Sequence, residues 1–351
     1  REWEVELLQG EASLLDAADE LVRDAGAVPA RGPSKLSRVL GDRIPKTSSR
    51  TQGRLRRGGS AASVVHARLG EQVAELKVRD PQVRRDLPDA VHKMRVAMRR
   101  LRSALATFRP LLDTSVTEPL REELKWASGV LGEARDAEVM HERLRSMITA
   151  QPPELVLGAV NRRVDDELGR AYRDAHAASV DAMDSQRYLT LLGDLDALVA
   201  EPPWTARAEQ PARDVLPARV QNDWKRLRRR VSMADNAPSQ TERDQRLHDV
   251  RKAAKRVRYA AETLIPIYGD SAEQLANATK QVQSVLGEHQ DSVVTVPVLR
   301  QLGVQAHLDG DNGFTYGLLL AHEQGRTAET ETRYAVVRDK ASRKRLRRWL
   351  S

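Results

Sequence analysis

From about residue 61 onward, apolar residues fall at three- and four-residue intervals, the period of an amphipathic helix. Met94, Met98, Leu101, Leu105 and Phe108 form one such run, confined to about 80° of a helical wheel. Val250, Ala254, Val257, Ala261 and Leu264 repeat the same spacing 156 residues later. Breaks bearing Pro or Gly fall near residues 80–81, 109–110, 151–153, 201–203, 236–238 and 309–313. No segment between them alternates as a strand would. The pattern predicts an all-α body of two four-helix bundles, residues 61–200 and 204–351. The N-terminal stretch differs. Residues 1–8 alternate polar and apolar and predict a strand, and residues 14–25 predict an amphipathic helix. One strand and one helix cannot make a domain, so residues 1–40 read as the end of a larger one. Residues 41–60, rich in Gly, Ser, Thr and Arg, read as a linker.

The polar faces of the two matched runs carry the chemistry. On the first, His92, Arg95, Arg99 and Arg102 fall in one band about 80° wide, opposite the apolar face. On the second, His248, Arg251, Lys255 and Arg258 occupy the same positions. A solvated helix face usually mixes acidic and basic residues at i, i+4 spacing, whereas each of these bands has one sign. Like charges so close repel, and the pattern is costly unless an anion offsets it. A second pair of segments follows in the same order. Val130-Leu131-Gly132-Glu133-Ala134-Arg135-Asp136 matches Val285-Leu286-Gly287-Glu288-His289-Gln290-Asp291 at an offset of 155. Two matched segments at nearly one offset predict an internal duplication, with the halves related by a pseudo-twofold axis.

Lys125 and Lys280 pair at the same offset and are candidates to join the bands. Arg100 and Arg256 flank them, and Arg68, Lys225, Arg226 and Arg229 lie on the first helix of each half. Residues 225–230 read equally well as a solvated face, and the basic run 343–348 reads as a solvated terminal helix.

Composition narrows the field. The 351 residues hold 58 Lys and Arg against 50 Asp and Glu, a net charge of +8. Aromatics are 4%, few for a protein that stacks single-stranded bases. Cysteine is absent, so disulfides and thiolate metal sites are excluded, and a reducing compartment is the simplest reading. No stretch is apolar enough to span a membrane, and no signal peptide opens the chain.

The two His-x-x-Arg-x-Ala-x-(Arg/Lys)-Arg-x-Arg segments and the two Leu-Gly-Glu-x-x-Asp segments resemble the CHAD family, the conserved-histidine α-helical domain. The resemblance covers about residues 60–351. It departs from an even repeat where Lys255 stands in the place of Arg99, and Gln290 in that of Arg135. It implies two four-helix bundles with pseudo-twofold symmetry around a basic central channel or groove that binds inorganic polyphosphate. Residues 2–7, the helix after them, and Ser34-Lys35 resemble the C-terminal end of a CYTH domain, which commonly occurs fused to CHAD. The acidic and basic strand motif that carries metal and catalysis in that family is missing here, so the residues present are expected not to form an enzyme. A complete CYTH domain in the native chain would be a candidate triphosphatase.

Polyphosphate suits the residues, being a linear polyanion with no bases to read. Arg offers it bidentate donors and Lys point charges. A wet channel is expected, able to hold sulfate or phosphate, because a dry unfilled cluster of this kind would be prohibitively costly. Cytoplasmic location at polyphosphate granules follows from that reading. The alternative is a nucleic-acid-binding helical module, since a basic helix face also suits phosphate backbones. No cofactor and no metal site is expected. His92 and His248 have no second ligand at i+3 or i+4, and Asp136 and Asp291 are read as partners of Arg or as helix caps. Glu133 and Glu288 are read as solvated residues or as salt-bridge partners of the basic band. No Gly-rich phosphate loop or nucleophile elbow appears.

Overall fold

The computed structural model describes residues 5–7, 9–11, 13–28 and 55–350. The chain divides into two units, Arg1–Gln52 and Gly53–Ser351. In the first, helix α1 (Ser13–Asp24) stands where the periodicity predicts a helix and buries none of its residues; Leu14, Leu15 and Leu21 are exposed. Of the expected strand, residues 1–4 and 8 lie outside the described residues. Residues 5–7 are described and form no strand. Ser34, Lys35 and most of the expected linker also lie outside the described residues.

The second unit is built of helices joined by short turns and loops. Its first half holds α2 (Ala61–Arg84), α3 (Ala90–Thr107), α4 (Thr114–Thr149), α5 (Val160–Asp184) and α6 (Gln186–Ala200). Its second half holds α7 (Ala212–Asp235), α8 (Gln240–Tyr268), α9 (Asp270–Leu308) and α10 (Phe314–Ala341), then a 3-10 turn at Lys344–Leu350. Short polar residues fix the helix starts. The side chains of Ser60, Asp113, Ser185 and Ser239 each accept a hydrogen bond from a backbone N–H two or three residues on. Pro81 does not end α2 as the sequence predicts. It lies in the last turn, where the missing N–H frees only one carbonyl, and the helix runs on to Arg84. Two boundaries lie outside the breaks read from the sequence. Ser185 separates α5 from α6, and Gly269, at φ 53°, turns α8 into α9.

Successive helices pack on one another within each half, and α2 and α3 meet α7 and α8 between the halves. The apolar faces read from the sequence form this central core, with Met94, Met98, Leu101, Leu105, Val250, Ala254, Val257 and Leu264 fully buried. A second, smaller core lies at the far ends of the long helices. There Leu144 and Ile148 of α4 and Val160 and Val164 of α5 pack with Leu299 and Leu302 of α9 and Tyr316 and Leu319 of α10. The halves therefore meet twice, at their bases and at their tips. Helix α6 covers α2, α4 and α5, and the turn Lys344–Leu350 covers α7 and α9. That turn is not simply a solvated end. Leu346 and Leu350 are buried, and Arg347 stacks 4.1 Å over the Trp224 ring.

Candidate functional site

The buried faces of α3 and α8 fix where their polar faces point. The first stripe turns toward α4. Arg95 donates from Nη1 to the Gly132 carbonyl at 3.3 Å and to Asp136 at 3.2 Å. Its other Nη lies 3.1 Å from where a Cβ on Gly132 would be, so the absent side chain makes room for the guanidinium. The second stripe repeats the arrangement. Arg251 lies over Gly287 of α9, 3.4 Å from the corresponding Cβ position, with the Asp291 carboxylate acting on it. Both glycines belong to the Leu-Gly-Glu-x-x-Asp segments, which explains why the two motifs travel together. Arg135 bears on His92, and Gln290, its repeat counterpart, bears on His248.

The stripes converge. Arg99 of α3 acts on Arg251 and Lys255 of α8, and Arg95 acts on Lys255 as well. Burial, reinforced by Arg251, Arg99 and Arg95, pushes the Lys255 ammonium down to about 7. Burial is also the main cause lowering both histidines, with Arg135 and Arg99 adding to it at His92 and Lys252 and Arg251 at His248. Each imidazole is thereby held toward its neutral form. Part of the hydrogen-bonding capacity of the cluster is unused. The Nε atoms of Arg95, Arg99, Arg102 and Arg251 and Nδ1 of His248 are buried with no hydrogen-bond partner. Buried donors without partners are costly and rare in folded proteins.

Other basic candidates have different surroundings. Arg258 donates to Glu262 at 2.7 Å and to Gln283 at 2.9 Å, so this member of the second stripe is already neutralised. Glu262 also accepts from Arg68 and Arg100, each at 3.2 Å. Arg256 pairs with buried Asp223 at 2.6 Å and donates to the Ala106 carbonyl at 2.9 Å. These two carboxylates tie the halves together, so Arg68, Arg100 and Arg256 are joints of the interface. Lys125 is exposed and bonded to Glu122 at 2.9 Å. Lys280 is exposed and lines a cleft with Ser284, Glu288 and Arg333, between α9 and α10. Neither joins the cluster. Lys225, Arg226 and Arg229 are exposed on α7. Glu288 pairs with Arg333 at 2.6 Å rather than with the band.

Sequence reasoning left out groups that the fold brings in. Arg135 enters through the second motif, and Arg121 of α4 acts on Arg102. Arg143 of α4 crosses to α9 and α10, donating to Ser292 at 3.1 Å and to fully buried Glu323 at 2.5 Å. Arg219 is the counterpart of Arg68 at an offset of 151, visible once the buried positions of α2 and α7 are aligned.

A family model of the CHAD domain matches residues 67–300. Two curated proteins of Mycobacterium tuberculosis, Uncharacterized protein MT2285 (strain CDC 1551 / Oshkosh) and Uncharacterized protein Rv2226 (strain ATCC 25618 / H37Rv), are each 38% identical over 331 residues. The match covers 92% of this chain and 61% of each relative, so the chain spans about three-fifths of their length. Among solved structures, PptA from Streptomyces chartreusis aligns with a TM-score of 0.67 at 22% identity, over 80% of this chain and 99% of its own. The CHAD domain from the plant Ricinus communis aligns with a TM-score of 0.64 at 25% identity, over 81% and 93% respectively.

Proposed function

The chain belongs to the CHAD family, and from that premise we propose that it binds inorganic polyphosphate where its two basic stripes converge. The observation that carries this reading is the convergence of Arg95 and Arg99 of one stripe with Arg251 of the other on Lys255, a lysine whose charge is suppressed. Such a cluster is unfavourable when empty and becomes favourable when an anion supplies acceptors and opposite charge. Polyphosphate supplies both along a line, and the stripes run for about three helical turns, roughly 15 Å. His92, Arg95, Arg99, Arg102, Arg251 and Lys255 are the contacts; His248 joins them by donating to a phosphate oxygen. Arg135 and Arg121 extend the track along α4. On this reading the chain runs between α3, α8, α4 and α9, in the space between the two cores.

We read the halves as copies of one unit, α2 to α5 answering to α7 to α10, and α6 answering to the turn Lys344–Leu350. The paired placements of Arg95 over Gly132 and Arg251 over Gly287 support that reading. Binding of this kind would hold the protein on polyphosphate granules. The test is the double charge reversal Arg95→Glu with Arg251→Glu, assayed against long-chain polyphosphate at fixed ionic strength. Binding is expected to be lost with helical circular dichroism unchanged. Retained binding would overturn the shared track. Duplex DNA displacing polyphosphate at equal phosphate concentration would assign the site to nucleic acid instead.

A further inference from the structure

The second half carries a cluster that polyphosphate binding does not use. Asp244 of α8, His289 of α9 and Glu331 of α10 direct one ligand atom each toward a common point, all within 4.8 Å of one another. His289 is 1% exposed, and its Nε2 is buried with no hydrogen-bond partner. That nitrogen lies 3.5 Å from Asp244 Oδ1 and 3.8 Å from Glu331 Oε1. The Gln240 amide bridges the same two carboxylates, donating to Asp244 at 2.9 Å and to Glu331 at 2.8 Å. Arg243 donates to the other Glu331 oxygen at 2.8 Å.

An imidazole nitrogen facing two carboxylate oxygens calls for a proton or a cation between them. A proton on His289 is one source. The spacing fits another. Ligands around a tetrahedral ion at about 2.0–2.1 Å stand about 3.3–3.4 Å apart, close to the 3.5 and 3.8 Å that separate the imidazole from the two carboxylates. A neutral imidazole with two carboxylates is a donor set for a borderline divalent ion, and Gln240, its amide turned over, adds an oxygen as fourth ligand. Arg243 already holds the second oxygen of Glu331, which fixes the carboxylate in the manner of an outer-sphere partner.

We propose that Asp244, His289 and Glu331 form a site for a divalent transition-metal ion, with Zn2+ the best match. The ion would pin α8, α9 and α10 together. The site belongs to the second half alone, because Ala134 stands at the repeat position of His289. It is independent of the polyphosphate reading and stands or falls separately.

Chelator-stripped full chain titrated with ZnCl2 in a calorimeter should bind one equivalent. Affinity should fall at least tenfold in Glu331→Gln, and binding should disappear in His289→Gln. The exposed-histidine control His307→Gln should bind as the wild type does. Wild-type affinity in His289→Gln, or no stoichiometric uptake by the wild type, would overturn the site. Should the variants fail to fold, the wild type alone still decides. Zn2+ should raise its melting temperature by several degrees, reversibly with EDTA, and an unchanged melting temperature would also sink the proposal.

Discussion

The two stripes share a plan and differ in how free their charges are. On α3, Arg95 touches an exposed carboxylate, while Arg99 and Arg102 have no ion pair among the described residues. On α8, Arg258 is tied to Glu262 and Gln283, and the central position is a lysine held near neutrality. Asp136 is exposed, but Asp291 is half-buried beside Arg251, Arg143 and Lys255, and burial raises its carboxyl above the usual range. At the central position the first stripe therefore presents the permanent charge of Arg99, and the second presents a lysine charge that its surroundings can switch. One matched motif is set in two different surroundings by its neighbours.

The sharpest break in that comparison is at the centre. Arg99 acts on His92, Arg95, Arg102, Arg251 and Lys255. Replacing it by Glu should lower polyphosphate affinity by about a hundredfold or more, since it removes one buried cation and pairs others internally. Direct titration with a labelled chain measures this. Next come the stripe ends. Arg102→Ala should weaken binding about tenfold, the scale of one charge-assisted contact. Arg258→Ala should cost about threefold or less, because Glu262 already holds that guanidinium. Equal losses at the two ends would erase the asymmetry.

Lys255 gives the comparison a pH signature. Its folded value near 7 lies below the ordinary lysine value, so between them the unfolded chain holds more protons. The free protein should therefore gain stability as pH rises from about 7 toward 10.5, by an amount on the order of a few kcal/mol. Bound polyphosphate favours the charged ammonium, so binding takes up a proton, and affinity should fall as pH rises above 7. The lowered histidines add a further gain in affinity as pH falls below their ordinary value. Lys255→Arg, which restores the residue of the first stripe, should flatten the dependence between pH 7 and 9 while keeping affinity. A wild-type affinity that does not change over that window would contradict the assignment.

Much of this was legible in the sequence because it rests on period and repetition. The apolar faces of α3 and α8 follow from a 3.6-residue period, and burial of those faces forces the basic faces to point away from the core. Convergence of the stripes does not follow from spacing, since it depends on how α3 meets α8. The fate of individual cations was equally hidden. Arg100, Arg256 and Arg258 look alike in the sequence, yet Glu262 and Asp223 engage them, and those carboxylates have no counterpart in the repeat: Ala106 matches Glu262 and Gln72 matches Asp223. Lys125 and Lys280 repeat faithfully but are exposed, Lys125 bonded to Glu122 and Lys280 in the cleft between α9 and α10. Repetition marks position along a helix, and only packing decides which neighbour a side chain meets.

The smallest expected effect tests the pairing of motifs. A Cβ at Gly287 would meet Arg251 at 3.4 Å, an ordinary contact, whereas at Gly132 it would meet Arg95 at 3.1 Å. Alanine removes the helix penalty of glycine, about 0.5–1 kcal/mol, at both sites. Gly287→Ala should then raise the melting temperature slightly and leave polyphosphate affinity within about twofold. Gly132→Ala has to move the Arg95 guanidinium by a few tenths of an ångström, and that disturbs its bonds to the Gly132 carbonyl and Asp136. Its affinity should fall about two- to threefold, in the range of a strained hydrogen bond. If Gly287→Ala were the weaker binder of the two, the guanidinium over Gly132 would not be the more closely fitted one, and the first stripe would lose its claim to be the rigid half of the track.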